Sequence, residues 1–436
     1  MGSIKEFFRN NKGRWIWALV SFFAAALLPE YIFPVLLFVS YIKNVKFKEN
    51  GKLSVGKLGV CMLLYSLWQV IGLFYSDYLT SGLSGIAIWG GMFFCYLMMR
   101  SAIDTGEKLD AVILAGALSG GVAGGIGIGQ MLLYHYGELI HPTLKSFFNP
   151  FWHPLDNFIA DIAVNHLLPD FVMQHVQRTE FISIITRASG TFTNPVFYAI
   201  FLTVMLPFSA YCMFYFHSKR KKILGLICLA LTLGGIAASY SRGPYLAMAA
   251  AFVILLFYGG KRTLVLLGCG AGGLGALAIF ADGVFKRLLS IFNFNDVSVS
   301  TRSKIWEACF EVLEDNWVFG LGTGVNNVRD FLHNTYGIKQ PHAHNIVLQI
   351  MLENGIVGVL LFAAILAVFA VQMIKLSRLG GRARGLAISL LASITAFCMC
   401  GMTDYPFYGL KPMCYMMLIF GLSAAAVKIY KKADKS

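Results

Sequence analysis

At 436 residues the chain is 57% hydrophobic and only 13% charged, a balance that excludes an ordinary soluble domain and a disordered chain. Apolar runs long enough to cross a bilayer recur along it, so the sequence specifies an all-α polytopic membrane protein. Its formal net charge of +14 does not point to nucleic acid, because the basic residues fall in alternate connections between the apolar runs.

Twelve spans are predicted, roughly at 15 to 28, 30 to 42, 57 to 75, 83 to 99, 111 to 134, 195 to 216, 223 to 239, 243 to 258, 263 to 281, 356 to 374, 385 to 400 and 407 to 427. The first lacks a small-residue cleavage site and is followed at once by the second, so it reads as retained rather than as a signal peptide. Together they make residues 1–436 a single integral-membrane domain. The cations cluster at Lys5 to Arg14, Lys43 to Lys57, Arg100 and Lys108, Lys219 to Lys222, Lys261 and Arg262, Lys375 to Arg384, and Lys428 to Lys435. By the positive-inside rule these connections and both termini face the cytoplasm. The others are extracytoplasmic, including two long ones at 134–194 and 282–355.

The fifth span contains Gly116, Gly120, Gly121, Gly124, Gly125, Gly127 and Gly129. No strand precedes it, and small residues at spacings of three and four suit close helix contact, so the run reads as packing and not as a nucleotide loop. In the first long outer connection, His135, His141, His153, His166 and His175 are irregularly spaced among Phe, Trp and Pro. Irregular spacing argues against a metal site, and the segment reads as amphipathic pieces lying on membrane lipid. It ends in Arg187 and then Asn194-Pro195, a helix start beside either a snorkelling arginine or a substrate contact.

Ser239-Tyr240-Ser241-Arg242-Gly243-Pro244 forms an outer turn so tight that Arg242 lies near the membrane plane. An arginine there calls for an anionic partner, and its planar fork suits phosphate oxygens. The second long outer connection holds Arg302, Lys304 and Trp306 at the head of a helical pattern, then Gly320, Gly322 and Gly324 as an irregular loop. It leads to Pro341–Gly358, PHAHNIVLQIMLENGIVG, where His342, His344 and Asn345 stand at the mouth of an apolar segment. Two readings of that stretch are open: a continuous helix with a glycine stripe, or a short helix ended by a left-handed Gly355 before a separate span. The second is preferred, because Ile356 to Met373 is already long enough to cross and Glu353 then stays out of hydrocarbon. In the last outer turn Asp404 reads as a capping or turn residue, with orientation of an imidazole as the lesser alternative. Eight of the nine cysteines fall in or beside spans, and no Cys or His spacing matches zinc, so neither a disulfide framework nor a metal is expected.

His344-Asn345, nine residues, then Gly355-x-x-Gly358 resembles the signature of the O-antigen ligase and O-antigen polymerase superfamily. Ser241-Arg242-Gly243 and Arg302-x-x-x-Trp306 are similar to its other recurrent stretches, in the same order. The resemblance implies a GT-C-like bundle in the bacterial inner membrane that transfers a glycan from undecaprenyl pyrophosphate to an acceptor hydroxyl, with inversion and without metal or cofactor. It makes His344 the catalytic base or the residue that positions the acceptor, and Arg242 and Arg302 the groups that hold the pyrophosphate, with Arg187 a weaker transfer. Lys304, His342 and Asn345 join them as substrate-binding expectations. The acceptor is expected to be lipid A-core; a repeat-unit polymerase and a protein O-oligosaccharyltransferase remain alternatives. A transporter is disfavoured, because the spans hold almost no ionisable residues.

Overall fold

Inside a bilayer every backbone N–H and C=O has to be satisfied within the chain, so apolar runs of this length form helices. In the computed structural model the described residues are 48–49, 52–53, 55–140, 187–192, 194–268 and 297–433. Their helices are α1 Gly56–Gly72, α2 Leu79–Ala102, α3 Gly106–Ile140, α4 Pro195–Tyr215, α5 Lys219–Ala238, α6 Arg242–Leu255, α7 Val297–Asn316, α8 Val325–Tyr336, α9 Ile346–Ser377, α10 Gly381–Gly401 and α11 Leu410–Ala433. The strands among them are the two-residue pair Lys48–Glu49 and Lys52–Leu53.

Eight of these helices are long and apolar enough to cross a membrane: α1 to α5 and α9 to α11. Of the twelve expected spans nine fall on described residues, and eight of those nine are these helices. α6 with the turn that follows it, Arg242–Tyr258, is apolar but shorter than the rest, because its first residue is already an arginine at the bundle's end. The expected spans at 15 to 28 and 30 to 42, most of that at 263 to 281, and the five histidines between 135 and 175 lie outside the described residues.

α4 sits at the centre, packed against α3, α5 and α10. Its start follows the sequence: Asn194 Oδ1 accepts from Val196 N at 2.7 Å and Pro195 fills the first helical position. The α3 glycines are contact surface, since a β-carbon on Gly121 would come within 2.9 Å of Cys228 Sγ and one on Gly124 would strike the Leu231 carbonyl. That close approach of α3 to α5 is the packing reading of the glycine run.

The turns fall at two ends. One end gathers the basic connections: Arg382 pairs with Asp110, Arg262 donates to Tyr215 and Arg384 donates to the Phe257 carbonyl. The other end gathers the turns at 239–241 and 402–409, the segment 187–192, and the helices α7 and α8. There Ile305, Cys309, Leu332, Ala343, Leu348 and Leu352 form a small apolar cluster of their own.

α9 is interrupted at Gly355, whose φ of 62° and ψ of −169° depart from a helix. Positive φ was expected there, but the ψ is extended and not that of a left-handed cap, a combination open in practice to glycine alone. The break is filled by the chain after α7: Leu321 N donates to Leu352 O at 2.6 Å, and Ile356 N donates to Trp317 O at 2.8 Å. Trp68 Nε1 donates to the Asn354 carbonyl at 2.8 Å. A β-carbon on Gly355 would run into the Val318 carbonyl, so the glycine serves both the conformation and the contact. The break divides the short helix carrying the histidine motif from the long apolar segment beyond it.

Candidate active site

Two non-glycine residues among those described have positive φ, Tyr240 and His344, both at 50°. Each costs about 1–3 kcal/mol and persists only where its surroundings hold it. One flanks Arg242; the other is the signature histidine.

The His344 loop is clamped through both the carbonyl and the amide of the preceding residue, Ala343. Trp306 Nε1 on α7 donates to Ala343 O at 3.0 Å, and Ala343 N donates to Gln349 Oε1 at 2.8 Å. Gln349 Nε2 in turn donates to Glu353 Oε1 at 2.7 Å, while Gly324 N reaches Glu353 Oε2 at 3.3 Å. A buried chain of hydrogen bonds therefore runs from Glu353 to the residue before His344. His344 N donates to His342 Nδ1 at 3.3 Å, and the two rings meet edge to face with centroids 4.3 Å apart. Asn345 caps α9: its Oδ1 accepts from Val347 N and Leu348 N at 2.9 and 3.1 Å, and its Nδ2 donates to Met402 O at 3.3 Å. Expected as a substrate contact, Asn345 has its side chain engaged in aiming the histidine loop.

His344 Nδ1 lies 3.3 Å from Asp404 Oδ1, and the Asp404 side chain is only 11% exposed. Tyr405 N also donates to Asp404 Oδ1, at 2.8 Å, so the expected turn role of Asp404 and the imidazole contact both hold. Burial works to raise the Asp404 pKa, but the His344 hydrogen bond, the two histidines and the Tyr405 amide outweigh it and bring the carboxyl down to about 2. His342 is nearly fully buried; burial first, then the charges of His344 and Arg302 against the opposing Asp404, lower it to about 3. It is neutral near pH 7, as its acceptor role toward His344 N requires.

Arg187 pins the second strained turn, with Nε donating to Ser239 O at 2.9 Å and Nη2 donating to Ser241 Oγ at 2.6 Å. The next two residues are Arg242 and Gly243. A β-carbon on Gly243 would strike the Thr403 side chain, so the Arg242 turn abuts the turn that carries Asp404. On α7, Arg302 stands one helical turn before Trp306, on the face toward the histidine loop, and its charge is felt at His342. Lys304 is exposed, about 200° around the helix from Arg302, and faces away.

The structure thus brings His344, His342, Asp404 and the Arg242 turn together, with Arg302 and Trp306 behind the loop and Arg187 supporting from the side. Gln349 and Glu353 were missed as site residues in sequence, where the imidazole contact of Asp404 was only the lesser alternative. The available signal was limited to a carboxylate in a tight turn at the same end of the bundle; its contact spans 60 residues of sequence. The three glycines at 320, 322 and 324 pack on backbone, with Gly320 against Gly355 and Gly324 against Gly82, and form the irregular loop expected. His342, His344 and Asp404 offer one donor atom each within 4.8 Å of one another. The Nδ1 atoms of both histidines are already engaged, one by a backbone amide and one by the carboxylate.

The chain is thus a multi-pass helical bundle that holds an imidazole against a carboxylate beside arginine-bearing turns at one end. The family model described as O-antigen ligase matches residues 227–363, less than half of the chain. Arg242, Arg302, His344 and Gly355 lie inside the match, whereas Arg187 and Asp404 lie outside it. An O-antigen ligase of Pseudomonas aeruginosa is 31% identical over 184 residues, covering 41% of this chain and 41% of that protein. The chain therefore spans about two fifths of the length of the curated relative it matches.

Proposed function

We propose that the protein is an O-antigen ligase, moving a glycan from undecaprenyl pyrophosphate to a hydroxyl of lipid A-core on the extracytoplasmic face of the bacterial inner membrane. One observation carries this: within the family segment, His344 is held by Asp404 in a turn that packs against the turn of Arg242. Asp404 accepting at Nδ1 leaves Nε2 as the basic atom facing outward. His344 Nε2 takes the proton of the acceptor hydroxyl as its oxygen bonds to the anomeric carbon. The bond from that carbon to the diphosphate oxygen breaks on the opposite side, which inverts the centre. Arg242 and Arg302 carry the negative charge that develops on the polyprenyl diphosphate, the planar fork suiting paired phosphate oxygens. Arg187, Asn345, Trp306 and Gln349 hold these groups in place.

The basic residues at the opposite end favour the orientation in which the histidine end is extracytoplasmic. ATP is scarce on that side, and a lipid-linked diphosphate carries its own activation. The test is transfer by purified protein in vesicles from lipid-linked glycan to added lipid A-core, in excess chelator. Joined product is expected. No product with any acceptor sinks the reading, and product restored only by a divalent ion overturns its metal-free form. Extension of a second lipid-linked repeat unit in place of lipid A-core assigns the same site to polymerisation.

A further inference from the structure

At the end of the bundle opposite His344, a cleft of about 580 Å³ opens between the start of α1, the last turns of α2 and α11, and the second half of α9. Lys57, Arg100, Lys375, Lys428 and Lys431 line it, and among the described residues no aspartate or glutamate does. Much of the remaining wall is apolar, with Leu58, Val368 and Val427 contributing from three helices. Like charges gathered around one apolar cleft favour an anion there.

Two ordinary causes explain part of this arrangement. Lysines snorkel at a membrane surface, and cations near the C-terminal ends of α2, α9 and α11 suit the helix dipole. The dipole does not account for Lys57. This lysine occupies the first turn of α1, which holds no acidic residue, and there the dipole opposes a cation. Other cations nearby have carboxylate partners, Lys108 with Asp104 and Arg382 with Asp110. Lys57, Lys375 and Lys431 form no ion pair with a carboxylate among the described residues.

We infer that this cleft binds an anionic phospholipid of the surrounding bilayer, with its phosphate among the five cations and its chains along the apolar wall. The site lies away from the glycan-transfer centre and does not depend on that assignment.

The test uses the full chain in detergent, with native mass spectrometry and thermal unfolding against phosphatidylglycerol, phosphatidylcholine and inorganic phosphate. The wild type should retain and be stabilised by phosphatidylglycerol. The paired variant Lys375→Gln with Lys431→Gln should lose retention about 30-fold, the scale expected for two removed surface cations, while Lys375→Arg with Lys431→Arg keeps it. Glycan transfer should be unchanged in both. Equal retention of phosphatidylcholine, or full retention by the glutamine pair while the protein stays folded, overturns the proposal. Stabilisation by inorganic phosphate to the same extent overturns the lipid assignment in favour of a soluble anion.

Discussion

The two ends of the bundle use charge differently. At the basic end most lysines and arginines sit on helix ends, exposed or paired one to one, as with Arg382 and Asp110. At the histidine end the chain holds two side-chain-bearing residues at positive φ and surrounds them with hydrogen bonds to backbone atoms from distant segments. Charge at an interface needs only position along the helix axis. A base beside a carboxylate needs direction to within a fraction of an ångström, and the strained turns with their clamps supply it.

If the histidine end performs the chemistry, His344→Ala should lower transfer on the order of 10²–10⁴-fold, the span of a general base, with the melting temperature nearly unchanged. Near-normal ligated glycan in cells relying on that variant would break the comparison at its centre. Arg242→Lys and Arg302→Lys should each cost at least about 10-fold, because a point charge replaces a fork; full activity in both would remove diphosphate recognition from this end.

A backbone test comes next. Gly355→Ala should destabilise by about 1–3 kcal/mol from positive φ alone, and by more from the Val318 contact, measured as a fall in thermal midpoint. Asn345→Ala should cost about 1 kcal/mol as a lost cap and lower kcat more than it raises KM. An unchanged kcat would make the cap purely structural. At the small end, Lys304→Ala should leave transfer within about twofold, the expectation for an exposed cation facing away.

Acidification should act on the histidine end through two buried groups. His342 drops from an ordinary value of 6.5 to about 3, so the unfolded chain takes up its proton first and stability falls as pH falls from 6.5 toward 3. Asp404, held near 2 against an ordinary 3.8, adds its loss only below about pH 4. Unfolding midpoints across pH 4–7 should therefore decline on acidification, and His342→Phe should flatten that decline. An unaltered slope in the variant would show that the titrating group lies elsewhere.

Much of this was legible in order along the chain. Hydropathy placed the described spans within a few residues, since bilayer thickness sets their length and backbone satisfaction sets their helicity. Glu353 followed by Asn354-Gly355 announced the break in α9, because a carboxylate and a glycine are both out of place in a continuous span. Charge alternation sorted His344, Arg187, Arg242 and Arg302 to one end, which is a one-dimensional matter.

Direction was not legible. That Asp404 meets His344, that Asn345 faces inward as a cap while Lys304 faces outward, and that Glu353 supports the loop through Gln349 depend on contacts between segments far apart in sequence. The sequence by itself determined a membrane bundle, its spans and the end at which His344 and the arginines gather, because these follow from length, apolarity and charge along a line. Only the tertiary structure decided which of those groups touch, because hydrogen bonds act over about 3 Å while a span separates its two ends by about 30 Å.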